Sequence, residues 1–352
     1  MLFFGNSSAD SIFVLAGHRM EEIKMQAENY NKRTLMDYSP DIKVLDCTMR
    51  DGGLVNNFAF SDDFVRDLYE ANIKAGVDYM EFGYKASKEL FDPKNFGKWK
   101  FCEEKDIRTI VGDNKSSLKI SVMADVGRCD YKKDILPKKD SVIDLVRVAT
   151  YIHQIPAAVE MIEHLKKKGY EVTVNIMAVS KVNSDDLDAA LQLLAKSSVD
   201  VIYLVDSFGS FYPEQITKLS QKYVEAADTA GKTVGIHAHN NQQLAFANTI
   251  EACRMGVCLL DATVNGMGRG AGNCFLEALL SFLKNPKYNE IPMIRFVEKH
   301  MLKLKEEGAV WGYDIPYLLT GILNSHPSTA IKFLKDKRTD YTNLMQELMD
   351  MD

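Results

Sequence analysis

The segment "GIHAHNNQ" (235–242) sets two imidazoles, His237 and His239, one residue apart at the end of an apolar run. On a β-strand alternate side chains share a face, so both would project the same way, their Cα atoms roughly 6.5–7 Å apart. Two ring nitrogens so placed can converge on one divalent ion. The plain competing reading is two polar residues on a half-buried strand. Other donors favour the ion. Asp51 in "RDGG" (50–53) offers a carboxylate, and Asn273, closing the Gly-rich "NGMGRGAGN" (265–273), offers an amide oxygen. Such a set suits an ion of intermediate hardness, Mn2+ or Mg2+ first, Zn2+ or Co2+ as alternatives. Coordination positions left open would take substrate oxygens.

The elements that must carry these residues follow a βα rhythm from residue 42 onward. Apolar, β-branched runs predict strands over 43–50, 79–85, 118–125, 144–151, 171–179, 201–207, 233–239 and 259–266. Helical patterns lie between them. In 61–76, Ser61 reads as the N-cap and Gly76 as the stop; 156–169 opens on Pro and closes on Gly. The stretches 185–196, 213–230 and 241–256 repeat the pattern. Strands that alternate with helices form a parallel sheet, and eight is the number that closes a (β/α)8 barrel. The rival, an open doubly wound sheet, would carry GxGxxG after its first strand, and "RDGG" is not that. The predicted fold is α/β: a (β/α)8 TIM barrel over 41–285, after an N-terminal extension (1–40) and before a C-terminal helical appendage (286–352). Chemistry in such barrels sits at the carboxyl ends of the strands. Strands 1, 7 and 8 adjoin on closure, so Asp51, His237, His239 and Asn273 fall on one arc of one rim.

Composition narrows the class. At 352 residues, with 46% apolar and 26% charged side chains, the chain can bury a large core and is not disordered in bulk. A net charge of −6 and no basic stripe argue against nucleic acid as a partner. No apolar run reaches membrane-spanning length, and the opening residues lack a basic start, so neither a membrane span nor a signal peptide is expected. Six cysteines without a CxxC pair read as reduced thiols of a cytoplasmic protein.

Three motifs carry a resemblance. "LDCTMRDGG" resembles the DxTxRDG signature of the DRE-TIM metallolyases, the family of metal-dependent aldolases, Claisen-condensing synthases and lyases. "HAHNN" resembles their HxH[ND] segment, and "GMGRGAGNCFLEAL" their G-x-G-x-x-x-G-N-x-x-x-E segment. The motifs lie in the family's order across 43–283. Within the family, "VDSFGSFYPEQI" (205–216) and the tail "WGYDIPYLLTG" (311–321) are most similar to the 4-hydroxy-2-oxovalerate aldolases. The resemblance implies cleavage of a 4-hydroxy-2-oxo acid to pyruvate and an aldehyde, or the reverse. The metal would be chelated by the 2-oxo acid, and Arg50 would stabilise the enolate, its fork reaching two oxygens at once.

Further roles attach to particular positions. Glu81 and Lys85, alternate residues of strand 2, should face inward near the top, Glu81 pairing with Arg50. Gly52 and Gly53 would let backbone approach a ligand closely. Tyr151, Asn175 and Ser207, with Asp206 beside it, stand at strand ends as lining candidates, and Asn240 and Asn241 as supports of the metal-binding loop. One departure stands out. The aldolases carry a general-base histidine just after RDG; here 51–60 holds none, and Leu54 stands near the expected place. Asn57 could orient a water or hydroxyl but is no base. Tyr313 and Tyr317 are the candidate acids. A Claisen-type acyltransferase joining acyl-CoA to a 2-oxo acid is the alternative, with a non-catalytic barrel binding metal and oxo acid behind it. The resemblance also admits a homodimer or a complex with an aldehyde dehydrogenase.

Overall fold

The computed structural model describes residues 34, 35 and 38–351; most of the expected N-terminal extension, His18 included, lies outside the described residues. Eight parallel strands close on themselves in chain order: β1 (Lys43–Asp46), β2 (Tyr79–Tyr84), β3 (Lys119–Asp125), β4 (Leu145–Thr150), β5 (Glu171–Ile176), β6 (Val201–Asp206), β7 (Thr233–Ala238) and β8 (Leu259–Ala262). β1 pairs with β8 through Lys43–Leu259 to Asp46–Ala262, which shuts the barrel.

Alternation along the strands builds two cores. Outward residues such as Val44, Ile120, Val122, Val146 and Val148 join one large apolar layer with the helices. Inward residues Leu45, Cys47, Tyr79, Leu145, Val201, Tyr203 and Leu259 plug the lumen. Gly235 admits the Tyr203 ring, since a Cβ there would overlap it.

The outer helices are α2 (Asp62–Ala75), α3 (Glu104–Val111), α4 (Ile155–Lys167), α5 (Ser184–Lys196), α6 (Pro213–Asp228), α7 (Ala245–Arg254) and α8 (Leu276–Phe282); a short α1 (Thr48–Asn56) precedes them. Ser61 caps α2 by accepting from Phe64 N, and Gly76 ends it with φ 75°. No α-helix joins β3 to β4; a loop with one 3-10 turn (Lys138–Asp140) does so. Beyond the barrel come α9 (Ile291–Phe296), a π-turn (Val297–Met301), α10 (Leu302–Glu306), α11 (Ile315–Ile322), α12 (Ser328–Lys335) and α13 (Tyr341–Met349). Phe296 meets Phe64 of α2 edge to face, while Phe333, Leu344 and Leu348 form a small core of their own.

Two expected strand ends and the facing of one residue are corrected. Strand 1 stops at Asp46 and does not run to residue 50. The Asp46 carboxylate accepts from Thr48 N at 2.9 Å and from Thr48 Oγ1, and so starts α1. Arg50 and Asp51 therefore project from the first turns of a helix, near its positive end. Strand 8 stops at Ala262, where Val264 N donates to Thr48 Oγ1 at 2.8 Å and a 3-10 turn begins. In strand 2 the register slips between Glu81 and Tyr84. That slip shifts the alternation, so Lys85 does not share the face of Glu81. It lines a cavity of about 390 Å³ between the β2 and β3 loops, with Ser87, Glu103 and Asp134.

Candidate active site

Four elements converge at the carboxyl rim. Asp51 comes from α1, His237 from β7, His239 from the residue after it, and Asn273 from the loop after β8. An isolated antiparallel bridge between His239 and Asn273 ties the last two together. Ligating atoms of Asp51, His237 and His239 all lie within 4.8 Å of one another, and all three residues are buried. Asn273 Nδ2 donates to Asp51 Oδ2 at 2.5 Å, while its Oδ1 is buried without a hydrogen-bond partner among the described residues. A buried orphan acceptor beside a carboxylate and two imidazoles is what a divalent cation would satisfy. Gly268 makes the arrangement possible: a Cβ there would overlap both Asn273 Nδ2 and Asp51 Oδ2.

Electrostatics agree with that fit. Burial pushes His239 down to about 3, so its ring is neutral, the form that ligates. Burial alone would raise Asp51, but the Arg50 guanidinium, the two imidazoles and the Asn273 amide together outweigh it and hold the carboxyl below its usual range. A second triplet, Cys47, His237 and Asp261, is equally close. Burial pushes the Cys47 thiol up, however, so it stays protonated and ligates poorly.

Around these residues runs a buried ionic network. Arg50 Nη1 bonds Asp51 Oδ1 at 2.6 Å and Arg50 Nε bonds Glu81 Oε2 at 2.9 Å. The same Glu81 oxygen receives Arg147 Nη1 at 2.9 Å. Arg147 Nη2 reaches Asp261 Oδ2 at 2.5 Å, and that oxygen also meets His237 Nδ1 at 3.0 Å. Donation from Nδ1 leaves Nε2 of His237 unprotonated, facing Arg50 Nη2 at 3.5 Å. Carboxylate–imidazole pairs of this kind fix the tautomer of a metal ligand. Arg147 is fully buried and lies over the Tyr203 ring, 4.4 Å from its centroid. Arg147 and Asp261 went unnoticed in the sequence, although a charged residue inside "LVRVAT" or "LLDA" is the signal to look for in a doubly buried strand.

The remaining candidates separate. Asn175 is buried and accepts from Thr173 Oγ1. Ser207 Oγ accepts from Ala178 N, and the Asp206 carboxylate accepts from Ser210 N and Phe211 N; both hold turns. Tyr151 is half-exposed and stacks on His153. Asn57 is an exposed C-cap of α1 whose carbonyl accepts from Gly97 N. Tyr313 is 60% exposed, whereas Tyr317 is buried against Gly270. Gly52 and Gly53 make room for Met267 and the Phe58 ring, not for a ligand: a Cβ on either would overlap those side chains. Asn241 Nδ2 bonds Tyr317 O and Thr320 Oγ1, tying α11 to the β7 loop, and Asn240 Oδ1 accepts from Ala245 N at the start of α7. Leu54, near the place where the resemblance expected a histidine, is exposed.

A closed parallel barrel with an HxH pair, an aspartate and an amide at its carboxyl rim defines a (β/α)8 protein with a ligand set for a divalent ion. A family model described as HMGL-like matches residues 41–294, and the chain belongs to that family. It is an enzyme of the metal-dependent carbon–carbon lyase class. An oxaloacetate decarboxylase of Mycobacterium tuberculosis is 31% identical over 246 residues, 68% of this chain and 69% of that one. A 4-hydroxy-2-oxovalerate aldolase of Pelotomaculum thermopropionicum is 28% identical over 252 residues, 71% of this chain and 72% of that one. Among solved structures, an N-terminal domain from Bacteroides vulgatus has a TM-score of 0.70 at 27% identity, covering 83% of this chain and 96% of that one. An HMG-CoA lyase of Bacillus subtilis, at 14% identity and a TM-score of 0.59, shares the fold.

Proposed function

We propose that the protein cleaves the bond between C3 and C4 of a 2-oxo acid, with 4-hydroxy-2-oxo acids as substrates and pyruvate as the common product. The observation that carries this reading is the placement of Arg50 against Asp51 and His237. Its Nη1 lies 2.6 Å from Asp51 Oδ1 and its Nη2 3.5 Å from His237 Nε2.

Asp51, His237, His239 and Asn273 would hold the divalent ion, Mn2+ or Mg2+. When bound it supplies Lewis acidity toward the oxygens of a 2-oxo acid. Arg50 stays charged in its buried setting because Glu81 and Asp51 outweigh the cost of burial. Its guanidinium therefore presents a fixed positive charge where the enolate oxygen develops, a preorganised donor that needs no rearrangement at the moment of cleavage. Glu81 and Asp261 hold Arg50 and His237 in orientation, and Arg147 neutralises both carboxylates.

A second reading, decarboxylation of a 3-carboxy-2-oxo acid such as oxaloacetate, is favoured by one observation. By the resemblance, Leu54 stands near the place where the aldolases carry their base, and no histidine lies between 51 and 60. Loss of CO2 starts from a carboxylate and removes no hydroxyl proton. Both readings share the pyruvate enolate. The test is pyruvate release with Mn2+ or Mg2+ from 4-hydroxy-2-oxo acids and from oxaloacetate, before and after chelation by EDTA. Metal-dependent release is expected. No release from either class would sink the proposal, and thiol release from acetyl-CoA with a 2-oxo acid would replace it by the acyltransferase.

A further inference from the structure

Residues 51–60 hold no histidine, yet the rim near Arg50 holds two polar groups, Asp125 and Tyr84, that stand outside the ionic network described above. Asp125 is the last residue of β3. Its strand neighbours fix its direction. Met123 pairs in register with Arg147, whose side chain crosses the lumen to Glu81 and Asp261. Asp125, two residues further along the same face, projects inward one step nearer the rim. Its Oδ1 is buried without a hydrogen-bond partner among the described residues. Tyr84 ends β2 just past the register slip, paired with Met123. No described residue hydrogen-bonds its hydroxyl.

The register puts both groups on the inner face at the ends of adjacent strands, and both feel the Arg50 charge. Burial pushes the Asp125 carboxyl up, against Lys100, Arg128 and Arg50. Burial likewise pushes the Tyr84 phenol up, with Arg50 the strongest opposing charge, so this hydroxyl keeps its proton and can donate it in a hydrogen bond. Lys100 completes the group. Its ammonium sits 4.4 Å from the centroids of Tyr84 and Phe91 and 5.0 Å from that of Phe58. The ring faces hold this cation, and its charge is the strongest that opposes burial of the Asp125 carboxyl. Phe58 reaches this box because Asn57 and Phe58 both take positive φ, 54° and 63°, folding the chain back under α1.

We propose that Asp125 is the general base for the 4-hydroxyl of the substrate, with Tyr84 donating a hydrogen bond to the same oxygen, in place of the histidine absent at Leu54. This rests on reading the site as a 2-oxo acid lyase. Asp125 takes the hydroxyl proton, and the O–H electron pair becomes the second bond of the C4 carbonyl. The C3–C4 bond breaks, and its pair passes into the enolate beside Arg50. Carbon 3 then takes a proton from water, and Asp125 returns its own to water. Aldehyde and pyruvate leave, and no oxidant, reductant or further reactant is consumed.

The substitutions Asp125→Asn and Tyr84→Phe keep shape and remove the proton chemistry. In the Mn2+-loaded full chain, Asp125→Asn should lower kcat for 4-hydroxy-2-oxo acids by roughly 10²–10⁴-fold. Deuterium uptake into C3 of pyruvate, decarboxylation of oxaloacetate and Mn2+ affinity should change less than about threefold, because none needs a base at C4. Tyr84→Phe should lower the same kcat by about tenfold, the loss of one donated bond. Hydroxy-acid cleavage by Asp125→Asn at the wild-type rate overturns the inference and leaves the lyase reading standing. A parallel loss in all the assays shows a structural role and also overturns it. Wild-type protein inert toward hydroxy acids, oxaloacetate and pyruvate exchange sinks the lyase reading itself.

Discussion

Arg50 and His237 approach to 3.5 Å, Nη2 to Nε2, and each is fixed from behind by a carboxylate that answers to one guanidinium. Glu81 Oε2 is shared between Arg50 and Arg147, and Asp261 Oδ2 between His237 and Arg147. The charge proposed to face the substrate and an imidazole that would ligate metal are thus positioned by the same fully buried side chain. Arg147→Met strands two buried carboxylates, which should cost about 3–5 kcal/mol of stability in urea unfolding. An unchanged unfolding midpoint would show that the lumen relaxes around the missing charge.

The Asp261–His237 pair leads to a sharper expectation. Asp261→Asn keeps the shape but weakens the hold on the Nδ1–H tautomer. Mn2+ affinity, read by titration calorimetry or by the free-ion signal in electron paramagnetic resonance, should fall about 10–100-fold. Wild-type affinity in this variant would argue that His237 is not a ligand.

Gly268 is a steric requirement. A Cβ at this position overlaps the Asn273 amide and the Asp51 carboxylate, so Gly268→Ala must push one of them away. Loss of metal affinity with little change in overall fold, seen as an unaltered circular dichroism spectrum, is the expected result. A variant that binds Mn2+ as well as wild type would remove Asn273 from the ligand set.

Arg50→Lys tests the enolate site. Lysine keeps the charge but cannot bond Asp51 and Glu81 while facing the substrate oxygen. Loss of such a preorganised donor costs on the order of 10²–10³-fold in kcat. A change in KM alone would demote Arg50 to substrate binding.

Stability should also depend on pH through Asp206. Burial, opposed by backbone N–H groups of Ser210, Phe211 and Gly209, pushes its carboxyl up to about 7. The folded pKa lies above the unfolded one, so the contribution is full below about pH 4 and is lost as pH rises through 7. That shift corresponds to on the order of 2–4 kcal/mol between those limits. In Asp206→Asn, unfolding free energies at pH 5 and pH 8 should differ by less than in wild type. Equal differences would show that Asp206 titrates normally.

What could be read from the chain, and what could not, follows from the range of the forces involved. Ser61 and Gly76 bound α2 as local chemistry dictates, since a cap is satisfied within four residues. The element order and the HxH parity on β7 were equally legible, because alternation is a property of a single strand. Strand 1 was read too long because the Asp46–Thr48 cap competes with an apolar pattern that continues past it. Lys85 was placed on the inner face because a register slip leaves no mark in residue spacing.

The sequence by itself determined the alternating βα architecture and the family, and named candidate donors for an ion, since periodicity and motif spacing are local. Only the tertiary structure decided which charges meet inside the barrel. Arg147 reaches Glu81 across 66 positions and Asp261 across 114. Asp125 and Tyr84 come to the same stretch of rim only once β2 and β3 lie side by side. Such contacts are set by closure of the sheet, which brings distant strand ends to one rim, and no window along the chain contains them.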